Sequence, residues 1–341
     1  MKPRSIFLLD AEQFRIIYGE EAVSSVREIT DNDGLPYSRE TILARPEHFK
    51  DVEIVFSGWG APIMDEEILT CLPGLRAFFY GAGTVRKVVT DAFWERGIVL
   101  TSSYQANAVP VAEYTCALII LSLKHAFRLC QNIKLGKLCT DREAIPGMYR
   151  GTTVGIIALG AIGRLVCEML TRYDVDVVAY DPFASEALFQ ELNVQRIDSL
   201  EALFEQCDVV SLHAPWLKET ENMITGSMLA SMPRYATFIN SSRGAIVDEV
   251  AMCNVLRRRE DLTAVLDVIQ DESLFYATDV SHARYSQLLE LPNVFITPHI
   301  AGSTGRECFR MGEWALEECR RYLNGEPLMS ALTREFAALL A

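Results

Sequence analysis

The stretch Val154-Gly155-Ile156-Ile157-Ala158-Leu159-Gly160-Ala161-Ile162-Gly163 decides the fold. Its apolar first half reads as a buried strand and Gly160 to Gly163 as a tight turn. A helix over Arg164 to Arg172 follows, then a second strand, Val175 to Tyr180, that stops at Asp181. Strand, glycine turn, helix and strand form the opening βαβ unit of a dinucleotide-binding domain. Gly160 lets the backbone approach a pyrophosphate, Gly163 lets helix and strand pack closely, and the N–H groups at the helix start face the anion. Asp181, roughly 20 residues beyond the turn, accepts hydrogen bonds from the adenosine ribose. Its charge repels a 2′-phosphate and no arginine follows in Pro182-Phe183-Ala184, so the reading favours NAD over NADP. Ala158 stands where the fingerprint has its first glycine.

Outward from this unit, composition sets the limits. A chain of 341 residues predicts two domains, and with half of its residues hydrophobic it can build a sizeable core. A net charge of −14 argues against nucleic acid as a partner. Nine cysteines without a CxxC pair suit a reducing cytoplasm and predict neither a disulfide framework nor a metal site. Met1-Lys2-Pro3-Arg4-Ser5 leads into a strand without the apolar core of a signal peptide. The most apolar helix candidate, Val111 to Leu123, carries Glu113 and is too short to cross a bilayer, so no membrane association is expected.

The first hundred residues alternate strand and helix: strands at Ser5–Asp10, Val52–Ser57, Leu75–Tyr80 and Ile98–Ser102, helices at Asp65–Leu72 and Thr90–Arg96. Such alternation predicts a parallel sheet covered on both faces, with ligands at the strands' carboxyl ends. The loops there are Gly58-Trp59-Gly60, Gly81-Ala82-Gly83-Thr84 and Ser103-Tyr104-Gln105-Ala106-Asn107. The small residues of Gly81-Ala82-Gly83 leave backbone N–H groups open to an anion such as a carboxylate, or make a plain turn. Trp59 and Tyr104 either line a substrate pocket or pack on the domain. Near residue 107 the chain changes domain and starts a long helix, Ala112 to about Ile133. Beyond Asp181 the alternation resumes, and a final helix, Ser303 to Leu323, returns to the first domain.

Three ionisable side chains fall just past strand ends of the second sheet: Arg243, Glu272 and His299. Each alone has an ordinary structural reading. Together, behind a dinucleotide fold, they are the set that reduction of a 2-oxo acid needs beside a hydride donor. His299 donates the proton, Glu272 raises its pKa and fixes the ring, and Arg243 offers a fork to carboxylate and carbonyl oxygens. His213 is structural or cofactor-adjacent in this reading, and His48, His125 and His282 have no supporting context.

From Leu75 to Gly302 the chain resembles the D-isomer-specific 2-hydroxyacid dehydrogenases. The resemblance rests on Gly81-Ala82-Gly83, Ala106-Asn107 with Val111-Ala112-Glu113, the glycine turn with Asp181, His213-Ala214-Pro215, Asn240-Ser241-Ser242-Arg243-Gly244, Leu266-Asp267-Val268 with Glu272, and Thr297-Pro298-His299-Ile300-Ala301-Gly302. It implies an α/β fold of two Rossmann-like doubly wound parallel sheets with a cleft between them. The flavodoxin-like substrate domain (1–106 and 300–341) would be discontinuous and the NAD-binding domain would span 107–299. It implies catalysis by Arg243, Glu272 and His299, and substrate contacts at Ala82, Gly83 and Arg243. Cofactor contacts would come from Gly160, Ala161, Ile162, Gly163, Asp181, Ala214, Ser241, Ser242, Asp267 and Gly302. The expected activity interconverts a 2-oxo acid and an (R)-2-hydroxy acid with NAD(H) in a homodimer. The alternatives are an NAD(H)-sensing, co-repressor-like protein, or a phosphoglycerate or glyoxylate/hydroxypyruvate reductase. Phosphoglycerate dehydrogenases of that family carry a basic residue in the loop after the second strand, where this chain has Trp59, and formate dehydrogenases carry Gln at the position of Glu272. The chain also departs from the common pattern at Leu217, Ser273 and Thr84-Val85-Arg86, where Arg86 either contacts an extra acidic group of the substrate or makes a surface salt bridge.

Overall fold

The computed structural model describes residues 2–137, 145–276 and 287–340; His282 lies outside them. The chain divides into one unit made of Met1–Ala108 and Ser303–Ala341 and a second made of Val109–Gly302, against expected boundaries at 107 and 300.

The first unit holds a parallel sheet of β1 (Ser5–Leu8), β2 (Pro36–Tyr37), β3 (Ile54–Ser57), β4 (Ala77–Tyr80) and β5 (Val99–Ser102) in the order 2-1-3-4-5. That is the flavodoxin-like order. Every residue of β1, β3 and β4 is buried, as expected of strands covered on both faces. The core is aromatic, with Phe7, Phe56, Phe78, Phe79 and Phe93 fully buried. Two helices that the sequence reading did not place, Ala11–Ile17 and Gly19–Ile29, follow β1.

The second unit holds β6 (Thr153–Ile157), β7 (Asp176–Tyr180), β8 (Gln195–Arg196), β9 (Val209–Leu212), β10 (Thr237–Asn240), β11 (Thr263–Leu266) and β12 (Val294–Ile296). All are parallel, in the order 12-11-10-9-6-7-8. Strand order reverses between β6 and β9, which makes this a doubly wound Rossmann sheet with its switch point at the glycine turn.

Three boundaries differ from expectation. The helix after β6 is Ala161–Leu170, so it starts inside the glycine turn, with Gly160 as its N-cap. The long helix is two: Tyr104–Leu123, which runs through Pro110, and Ala126–Lys134, with the break at His125 in the left-handed region (φ 51°). The loop residues Tyr104 to Asn107 are therefore its first turns, and at 20 residues it is long and apolar enough to cross a membrane; 61% of its most apolar window is buried within the protein. The returning helix is Phe309–Asn324, preceded by a 3₁₀ turn over Gly305–Cys308.

Candidate active site

The carboxyl ends of β12, β11, β10, β9 and β6 lie side by side along one edge of the second sheet. Each contributes one loop, and each loop carries residues singled out in the sequence.

The β6 loop leaves a helix start uncapped. Ala158 holds φ at +73°, a left-handed conformation that costs an L-residue about 1–2 kcal/mol, and this is the position of the missing glycine. A Cβ on Gly163 would stand 2.1 Å from the carbonyl oxygen of Ala158, so helix and loop meet there only because residue 163 is glycine. A Cβ on Gly160 would meet nothing within 4 Å. No side chain caps the Ala161–Leu170 helix, whereas Ser185, Ser199, Thr225 and Asp248 cap later helices of the same unit. The first N–H groups of that helix, those of Ala161 and Ile162 among them, thus have no side-chain acceptor among the described residues, which fits a pyrophosphate. Asp181 follows β7; its Oδ2 accepts from Leu159 N at 2.7 Å and its Oδ1 from Phe183 N and Ala184 N. A carboxylate offers about four acceptor sites, so one remains for a ribose hydroxyl.

Beyond β9, Ala214 accepts from the hydroxyl of Ser242. His213 is buried with its Nε2 3.0 Å from the Ser211 hydroxyl, and burial pushes its pKa down to about 4. Its Nδ1 is also buried and has no partner among the described residues. A neutral, low-pKa imidazole is a poor proton donor near pH 7, in keeping with a structural or cofactor-adjacent role.

The β10 loop presents Arg243. Asn240 shapes it: its Oδ1 accepts from Ser242 N at 3.0 Å and its Nδ2 donates to the carbonyl of Arg243 at 3.1 Å. Ser241 is tied to Thr115 at 2.9 Å. A Cβ on Gly244 would stand 2.0 Å from the carbonyl carbon of Ile269, so the loop touches the chain that leads from β11 to Glu272. Arg243 donates through Nη1 to the carbonyl of Ser242 at 2.7 Å. Burial lowers its guanidinium pKa and the charge of Glu272 opposes this.

His299 and Glu272 meet. Nδ1 of the histidine lies 2.8 Å from Oε2 of the glutamate, with both side chains about two-thirds buried. His299 has φ +53°, a strained conformation for a residue with a side chain. Asp267 holds it there. The backbone N–H of His299 donates to the carbonyl of Asp267 at 2.9 Å, and the carboxylate accepts from Ile300 N, Ala301 N and the Thr297 hydroxyl at 2.9, 2.9 and 2.6 Å. Tyr114 adds a contact to the same hydroxyl at 2.6 Å, and Gly302 closes the loop, buried. Asp267 thus anchors the loop that carries His299, with one acceptor site left for a cofactor. Sequence spacing did not reveal that anchoring, nor the close approach at Gly244; both depend on which strands are neighbours.

In the first unit, Ala82 is fully buried and Gly83 half-buried, and their N–H groups donate no hydrogen bond among the described residues. Ser102 and Ser103 tie down their carbonyl side. Trp59 and Tyr104 are half-buried and pack against the core, and Arg86 is exposed.

Comparison with known proteins bears on the whole arrangement. Residues 116–301 match the profile of the D-isomer specific 2-hydroxyacid dehydrogenase, NAD binding domain. The (S)-sulfolactate dehydrogenase of Chromohalobacter salexigens is 32% identical over 263 residues, covering 76% of this chain and 81% of that protein. The D-3-phosphoglycerate dehydrogenase of Archaeoglobus fulgidus is 28% identical over 317 residues, covering 92% of this chain and 57% of that protein. This chain spans little more than half the length of such phosphoglycerate dehydrogenases. In fold it is similar to the NAD-complexed D-isomer specific 2-hydroxyacid dehydrogenase of Lactobacillus delbrueckii ssp. bulgaricus (TM-score 0.80, 21% identity, 96% of this chain and 99% of that one). With more than half of the chain matched by the NAD-binding profile, its cofactor is NAD and it belongs to the D-isomer specific 2-hydroxyacid dehydrogenase family.

Proposed function

We propose that the protein reduces a 2-oxo acid, with NADH and a proton, to the (R)-2-hydroxy acid and NAD⁺, and catalyses the reverse. The observation that carries this is the His299–Glu272 pair at 2.8 Å on the strand end next to the Arg243 loop. Glu272 accepts the Nδ1 proton of His299 and leaves Nε2 as the atom that gives a proton to the substrate oxygen and takes it back. Arg243 remains charged in its buried loop, where a guanidinium polarises a carbonyl and pairs with a carboxylate. The N–H groups of Ala82 and Gly83, unbonded among the described residues, are of the kind that hold a carboxylate, with Gly83 the accessible one of the two. Bound NAD(H) supplies or takes the hydride at the substrate's second carbon. Ala161, Ile162 and Gly160 would hold its pyrophosphate and Asp181 its ribose.

The test is NADH oxidation at 340 nm across a panel of 2-oxo acids. His299→Ala and Arg243→Ala are expected to lose about 10²-fold or more in kcat/KM while NADH still binds. Near-normal turnover in both would sink the assignment. Tight NADH binding with no turnover on any acid is the outcome of the sensor reading. The relatives named phosphoglycerate dehydrogenase keep 3-phosphohydroxypyruvate on the panel. The assembly we propose is a cytoplasmic homodimer. The Ala126–Lys134 helix buries none of its residues, carries Ile133 in its last turn and is followed by Leu135, 71% and 50% exposed, and the eight described cysteines are all free thiols. A monomer in sedimentation equilibrium at micromolar concentration would remove the dimer.

A further inference from the structure

The carboxyl edge of the first sheet carries a pattern that the proposed reaction does not by itself require. Strand β4 lies between β3 and β5, and their last residues, Ser57, Tyr80 and Ser102, stand in register. Their loops therefore leave the sheet at one level, side by side. The middle loop offers small residues whose N–H groups are unbonded among the described residues, buried Ala82 and half-buried Gly83, and a Cβ on Gly83 would meet nothing within 4 Å. On the β3 side stands Trp59. On the β5 side stands Tyr104, whose N–H lies 3.3 Å from the Ser102 hydroxyl, which itself donates to the carbonyl of Ala82 at 2.9 Å.

A third element, far away in sequence, completes that flank. The segment that enters the Arg334–Leu339 helix runs beside β5: Leu332 N donates to the carbonyl of Leu100 at 2.9 Å, and Ala331 bridges Thr101. The helix is capped by Thr333 and pinned at its far end, where the hydroxyl of Thr84, next to Gly83, donates to the carbonyl of Leu340 at 2.8 Å. Phe336 meets the ring of Tyr104 edge-on, with centroids 5.9 Å apart. The helix's Ala337 is buried, yet Phe336 and Leu339 remain 40% and 55% exposed beside the anion loop. Apolar side chains held in the open next to unpaired N–H donors fit a ligand with a carboxylate at one end and an apolar group at the other.

We propose that Tyr104, Phe336 and Leu339 form an apolar wall that receives the side chain of the substrate, and that the preferred substrates are 2-oxo acids with branched or aromatic side chains. This rests on the dehydrogenase reading above, with the carboxylate on Ala82 and Gly83. Phe336 is then a specificity-determining residue supplied by the Arg334–Leu339 helix.

Two measurements on the full chain test it. In the first, kcat/KM is compared for phenylpyruvate, 4-methyl-2-oxopentanoate, glyoxylate and 3-phosphohydroxypyruvate. The wild type is expected to favour the first two. In Phe336→Ala the ratio of kcat/KM for phenylpyruvate over glyoxylate should fall about tenfold or more, chiefly through KM, and Phe336→Leu should recover part of it. In the second, the Kd of the unreactive 3-phenylpropanoate for the NADH complex is read by calorimetry and should weaken by about tenfold in Phe336→Ala. A wild type that favours glyoxylate or 3-phosphohydroxypyruvate overturns the wall, as does a ratio and Kd unmoved in both variants with melting temperatures preserved. Absence of turnover on every acid overturns the dehydrogenase reading alone if 3-phenylpropanoate still binds through Phe336, and both if it does not.

Discussion

At the scale of single residues, several side chains stand where their ordinary chemistry is overruled by their surroundings. His213 is the clearest. Burial holds its pKa near 4 in the folded chain against about 6.5 unfolded, so between those values the unfolded chain binds more protons and stability rises with pH. The contribution is complete above about pH 6.5 and is lost as pH falls toward 4, roughly 3 kcal/mol in all. Urea unfolding of His213→Asn should therefore fall off less steeply over that window than the wild type, by about one proton's worth of slope. Ala158→Gly should raise stability by up to about 1 kcal/mol, because relief of the left-handed alanine exceeds the entropy that glycine adds. Gly244→Ala should cost about 3 kcal/mol or more and displace Arg243, because its Cβ meets backbone that cannot move aside; a melting temperature near that of the wild type would contradict this. Of these positions, Ala158 was legible as a departure from a known spacing and His213 as a histidine with a different role. Gly244 was legible only as a letter in a motif, because the reason for it, the chain after β11, lies 25 residues on.

At the scale of elements, strand cores were legible and helix starts were not. The strands of the second sheet are short, mostly apolar runs, and only the two-residue β8, Gln195–Arg196, has no apolar residue to announce it. Helix starts are set by capping, and two that shifted, Phe309–Asn324 and Ala161–Leu170, have no side-chain cap to announce them. The missing cap on the second has a testable consequence of opposite signs. Gly160→Asp places a capping carboxylate at a position whose φ of −71° suits any residue. It should stabilise the fold by about 1 kcal/mol while weakening NADH binding roughly tenfold or more, since the carboxylate takes the place of the pyrophosphate. Thermal melts and fluorescence titration of the same sample read both. A gain in stability without a loss of affinity would mean that the cofactor phosphates sit elsewhere.

At the scale of the whole molecule, alternation of strand and helix was enough to read parallel sheets covered on both faces, and the resemblance supplied two doubly wound units and the discontinuous first domain. What neither supplied was the helix Arg334–Leu339 beside the Ala82–Gly83 loop, a pairing about 250 residues apart that only the folded first unit defines. The same topology sets an order of events in synthesis. Val109–Gly302 is one uninterrupted stretch, whereas the first unit lacks the Phe309–Asn324 helix, the partner of Leu100 and the acceptor of the Ser103 hydroxyl until the last 39 residues have been made. At bacterial or eukaryotic elongation rates that is a delay of about 2–8 s. A fragment of residues 104–302 should fold and bind NADH, while one of residues 2–108 should remain unfolded by circular dichroism. The unit with the shorter wait is the one that binds the nucleotide. On the ribosome a nascent chain can thus be loaded with NAD while its amino-terminal third is still open to chaperones and proteases, so cofactor supply and chaperone capacity act on different stretches of one polypeptide at one moment.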